Sequence, residues 1–149
     1  MALDQSALLE LLGELKLTDV TDRIRVATET IYQELIGFVP PRIEARLAVT
    51  GALDPKLVDL QEKMREHAMY PKCFDVKTAQ LMLFGMLLMD LSDAAVLHGI
   101  AARRAGATWE EMQAVVSLCF LFRGLSAANR GAELLANIAD HETKKESQG

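Results

Sequence analysis

The stretch "VKTAQLMLFGMLLM", from Val76 to Met89, constrains this chain more than any other. From Leu81 to Met89 it is apolar and broken only by Gly85, so a helix here is apolar nearly all round. A helix of that kind is buried on all sides. It is too short to cross a bilayer, which takes about 20 apolar residues. It therefore belongs in a helical core. In a chain of 149 residues its burial calls for a partner subunit, so the segment predicts an oligomer as well as a fold. The length itself fits one domain, large enough to bury about 70% of its unfolded surface.

The rest of the chain also keeps a helical period and shows no β alternation. Leu8, Leu11, Leu12 and Leu15 mark a short amphipathic first helix. Ile24, Ala27, Ile31 and Leu35 line one face of a second, over about 21–36. The prolines of "GFVPP" stop it, and Pro41 starts a short helix to about 49. Asp54 and Pro55 suit the cap and first position of the next, which runs to about 67. Asp75 caps 76–89, and Ser92 or Asp93 caps the helix that carries His98 and ends at Gly106. "TWEE" (Thr108 to Glu111) has the spacing of a capping box and opens a helix to about 122. Gly124 ends that helix, and Ser126 opens a last one to about 141. The polar tail "ETKKESQG", 142–149, is expected to fray. About eight helices joined by short turns read as a single all-α domain over 1–149.

Charge and cysteine usage exclude several classes. The formal net charge is -5 and no long basic run occurs, which argues against nucleic acid as a partner. Cys73 and Cys119 form no CxxC pair and no zinc-ligand spacing. Free thiols in a reducing compartment are the plain reading. The start "MALDQSALLELL" carries acids and no basic segment, unlike a secretory signal. The expectation is a soluble, cytoplasmic protein with no membrane association. Three widely separated histidines make no recognisable metal motif, so no metal is expected.

His98 is the first candidate for chemistry. Its helical neighbours are Ala94, Ala95, Ala101 and Ala102, small side chains that leave space for a pocket or for a close helix contact. It reads either as a packed histidine or as a proton-transfer group with a pKa suited to neutral pH. His67, in "REHAMYPKC", reads as a cation at a helix C-terminus or as a second pocket residue. Arg123 and Arg130 flank "GLSAAN". They serve the helix dipole and solvent, or bind a substrate carboxylate through paired hydrogen bonds. Gln80 enters an otherwise apolar helix and either lines a cavity or faces water.

The order and spacing of these segments resemble the carboxymuconolactone decarboxylase family, which includes the alkylhydroperoxidase-D-like proteins. The resemblance lies in "FDVKTAQLMLFGMLLMDLSDAAVLHGIAARRAGATWEEMQAVV" followed by "GLSAANRGAELL". It is carried by His98, Ala102, Gly106, Thr108, Glu110 and Glu111, then Gly124, Ala127 and Ala128. "LIGFVPPRIEARL" resembles the family's N-terminal half, so the likeness runs from about Ile31 to Ile138. It implies an alkylhydroperoxidase-D-like helical bundle assembled as a trimer or hexamer.

The redox branch of that family carries Cys-x-x-Cys-x-x-x-His, where this chain has Leu91 and Ala94 before His98. Its glutamate near the start of the preceding helix corresponds here to Ala79 or Gln80. Neither set supplies a thiolate or a carboxylate. The resemblance therefore points to the cysteine-free branch, which acts on a small carboxylated lactone without metal or organic cofactor. It implies a cofactor-independent lyase for a small organic acid or lactone, with His98 as acid/base. Arg123, Arg130, Gln80 and His67 would be its substrate-binding candidates. The alternatives are a non-catalytic small-molecule-binding or assembly protein that has lost the redox site and, third, a thiol-dependent peroxidase using Cys73 and Cys119, with Lys72 as the only nearby cation.

Overall fold

The computed structural model describes residues 19–148; the expected helix over Leu8 to Leu15 lies outside them. Among the described residues there are seven helical segments and no strand. Helix α1 is Asp19–Leu35. Segment α2 is continuous but changes pitch, with an α-helical start Pro41–Ala45, a π-helical middle Arg46–Thr50 and a last turn Gly51–Leu53. Then follow α3 (Pro55–Met69), α4 (Val76–Met89), α5 (Ala95–Arg104), α6 (Trp109–Arg123) and α7 (Leu125–Glu146). The chain divides after Met69 into two compact units.

In the N-terminal unit the buried stripe of α1 is Thr28, Tyr32 and Leu35, continued by Ile36. The sequence placed Ala27 on that face; it is exposed, and Thr28 is inside instead. The threonine is accommodated because its hydroxyl donates to the Ile24 carbonyl at 2.8 Å, which satisfies the polar group within the helix. Segment α2 runs past its expected end near residue 49. Glycine permits a helix end without forcing one, and Gly51 keeps a helical φ of -61°. Asp54 caps α3 as expected, its Oδ1 accepting from Leu57 N at 3.0 Å.

The C-terminal unit is built on α4. Asp75 caps it by accepting from Thr78 N at 2.7 Å. Ala79, Gln80, Phe84, Gly85 and Leu88 are its buried residues. The expected all-round burial is not met within one chain, since Met82 and Met86 are 42% and 59% exposed. Helices α4 and α6 run side by side in the same direction. Lys77 and Glu111 pair at their first turns, 2.8 Å apart. Further along, the Cys119 thiol donates to the Gly85 carbonyl at 3.5 Å.

The capping box that opens α6 is complete. Thr108 Oγ1 accepts from Glu111 N at 3.1 Å, and Glu111 Oε2 accepts from Thr108 N at 2.8 Å. The neighbouring Lys77 ammonium, first, and the Thr108 amide hold the Glu111 carboxyl below its ordinary range. The cap of α5 differs from expectation. Ala94 stands at the N-cap with no side-chain bond, and Ser92 Oγ accepts from Ala94 N at 3.2 Å instead.

Helix α7 buries Ala127, Gly131, Leu134 and Ile138 along one face. It opens at Leu125 directly after Gly124, whose φ of 74° suits glycine, so Ser126 lies inside the helix. The tail expected to fray from 142 is helical to Glu146. Arg103 on α5 explains this, because its guanidinium grips both carboxylate oxygens of Glu142, at 2.9 and 3.2 Å. That fork-to-fork pair anchors the turn beyond residue 141.

The contact of α7 with α6 leaves no room at Gly131. A methyl group there would come within 2.5 Å of Val116 Cγ1 and 3.2 Å of Val116 Cβ. The β-branched valine cannot swing away from its own Cβ. Overpacking of this kind costs about 1–3 kcal/mol, against up to about 1 kcal/mol regained from helix propensity. Gly131→Ala is therefore expected to lower the urea midpoint, and adding Val116→Ala to recover part of the loss. A Gly131→Ala protein as stable as the parent would mean the helices part freely.

Candidate functional site

His98 stands on the second turn of α5, half-buried. Around it α5 presents Ala95, Ala101 and Ala102, all buried, and Gly99. These small side chains let α4 approach closely, and α4 brings Gln80. The Gln80 side chain is fully buried. Its Oε1 lies 2.8 Å from His98 Nδ1. Its Nε2 is also buried and has no hydrogen-bond partner among the described residues. An unsatisfied buried donor costs about 1–3 kcal/mol, and most buried polar groups in folded proteins avoid that penalty. The pair is thus one completed hydrogen bond with an amide donor left over.

Of the residues singled out in the sequence, His98 and Gln80 are brought together. Gln80 neither faces water nor stands apart from the histidine. Arg130 is held by two carboxylates, with Nη2 on Asp93 Oδ1 and Nη1 on Glu133 Oε2 at 2.8 Å. Arg123 is exposed on the last turn of α6. The pairing of Lys77 with Glu111 and of Gly85 with Cys119 puts Gln80 level with the middle of α6, so Arg123 lies further along. His67 is exposed near the end of α3, in the N-terminal unit. Cys119 is buried, and burial pushes its thiol pKa up. Cys73 is exposed. Among the described residues no three His, Cys, Asp or Glu side chains are grouped to hold a metal ion. None of the described helices is long and apolar enough to cross a membrane.

Sequence reasoning missed one buried polar cluster. In the N-terminal unit Glu62 is bound by Arg46 and by Arg65, the latter at 2.9 Å. The Arg65 guanidinium lies 4.3 Å from the centre of the Tyr32 ring. Two cations on one buried carboxylate, with a ring beneath, make a structural clamp of the kind that is destabilising to break. The three-residue spacing of Glu62 and Arg65 signals a pair on one helix; nothing local signals that Arg46 completes it.

No family model, curated protein or solved structure matches this chain.

Proposed function

We propose that this protein is a cofactor-independent lyase of the carboxymuconolactone decarboxylase type, acting on a small organic acid or lactone with His98 as acid/base. The observation that carries the reading is the His98–Gln80 pair, a half-buried imidazole held by a wholly buried amide whose own donor has no partner among the described residues. Loss of carbon dioxide beside a carbonyl or enol leaves a developing carbanion. That carbanion needs a proton donor and polar groups to stabilise its charge. His98 supplies the proton, and the Gln80 amide is a polar group on the same spot. The test is carbon dioxide release from a panel of small lactone carboxylates by the parent protein and by His98→Gln. A parent protein inert toward every member of the panel, and toward their isomerisation, overturns the reading.

One observation favours the second reading, a binding or assembly protein without catalysis. Arg130, a candidate anchor for a substrate carboxylate, is bound to Asp93 and Glu133. A protein of that kind binds the same small acids without converting them, and equilibrium binding with no product separates the two.

A thiol peroxidase is the third reading, and the burial of Cys119 argues against it. Cys119 is buried with a raised pKa, which favours the unreactive thiol over the thiolate. Thiol-dependent peroxide turnover is expected to be negligible in the parent and in a Cys73→Ser/Cys119→Ser double variant alike. Robust turnover that vanishes in the double variant would reverse this.

The same proposal includes assembly as a trimer or hexamer of identical chains. Because α4 and α6 are parallel, the helical repeat sends Met82 and Met86 to the same side of their seam as Leu118 and Phe122. All four are exposed, Phe122 by 87%, and Leu121 and Leu125 beside them are exposed as well. A contiguous apolar surface of this kind is a feature of association sites.

A further inference from the structure

We infer that Gln80 is a positioning residue that fixes the tautomer of His98, holding the ring proton on Nδ1 and the lone pair on Nε2. This rests on reading His98 as the proton-transfer group. The geometry is a 2.8 Å contact between His98 Nδ1 and Gln80 Oε1. A carbonyl oxygen only accepts, so Nδ1 must donate, and in a neutral imidazole the other nitrogen is then the basic one. Gln80 is wholly buried, on the second turn of a helix whose start is capped by Asp75. It is therefore a fixed acceptor, unlike a surface amide free to turn in water.

The identity of the partner matters as much as its place. A histidine that transfers protons alternates between neutral and cationic rings. A carbonyl acceptor suits both, because Nδ1 carries its hydrogen in each state. The reversed amide would donate to a bare Nδ1 and would lose its partner whenever the ring gained a second proton. A carboxylate in this position would also accept in both states, and it would bias the ring toward the cation. The neutral amide orients His98 without adding that charge. With Nδ1 holding its hydrogen in both states, Nε2 is the nitrogen whose proton is gained and lost as the ring passes between its neutral and cationic forms.

The experiment is nitrogen-15 NMR of the full chain labelled at histidine, with His98 identified by the signal that disappears in His98→Gln. The expected spectrum of the parent protein at a pH where the ring is neutral shows His98 as the Nδ1–H form. Gln80→Met keeps the length of the side chain and removes the acceptor, and the signal is expected to lose that single-tautomer signature. A parent spectrum in the Nε2–H form overturns the inference, since it means that the Gln80 amide is reversed. So does an Nδ1–H form that persists in Gln80→Met. If Gln80→Met fails to fold, the parent spectrum decides alone. An Nδ1–H tautomer combined with full turnover in His98→Gln would sink the proposed function and leave the tautomer assignment standing. The Nε2–H form combined with lost turnover in His98→Gln would do the reverse.

Discussion

His98→Gln is expected to lower turnover of the small acid or lactone substrate by a factor of about 100 or more, the usual worth of a general acid or base. Glutamine at position 98 retains an amide that can still bond to Gln80, so helices and assembly are expected to remain. Catalysis is lost because an amide neither takes nor delivers a proton near neutral pH. The competing role, a histidine retained for packing, makes the opposite forecast. The substitution would then cost about 1–3 kcal/mol of stability through unsatisfied polar groups, with activity per folded molecule little changed. Thermal unfolding and kinetics on the same preparation separate the two. Lowered stability with unchanged specific activity would return His98 to the core and put the binding-protein reading first.

Assembly is expected to fail when charge is placed on the apolar face beside α4 and α6. Phe122 and Met86 are 87% and 59% exposed in the single chain, so Phe122→Glu and Met86→Glu remove little packing from the fold itself. In an assembled face each glutamate becomes a buried charge with no partner, a penalty of about 3–5 kcal/mol. That is a loss of association of more than about 100-fold per site. Sedimentation at micromolar concentration is expected to show a trimer or larger for the parent and a monomer for the double variant, with helicity preserved in both. A parent protein that sediments as a stable monomer of 16.4 kDa would end the oligomer proposal. A charged variant that assembles as the parent does would place the interface elsewhere.

Helix positions were legible in the sequence because the signals are local. Asp75, Pro55 and the Thr108–Glu111 box act within a single turn, and α3, α4 and α6 begin where they indicate. The extension of α7 to Glu146 was hidden, since it depends on Arg103, which is close to Glu142 only after folding. Helix α4 reads as apolar all round, and its apolar character holds. Which of its residues are covered was decided by packing: α5, α6 and α7 bury Phe84, Gly85 and Leu88 and leave Met82 and Met86 outside. The candidate site followed the same division. His98 and Gln80 were each conspicuous as polar residues in apolar or alanine-rich helices, because residue type and helical period are properties of the chain. That the two meet at 2.8 Å, and that Arg130 turns to Asp93 and Glu133, are tertiary facts. Hydrogen-bond partners far apart in sequence are chosen by how helices pack, and a period of 3.6 residues carries no information about which helix will lie alongside.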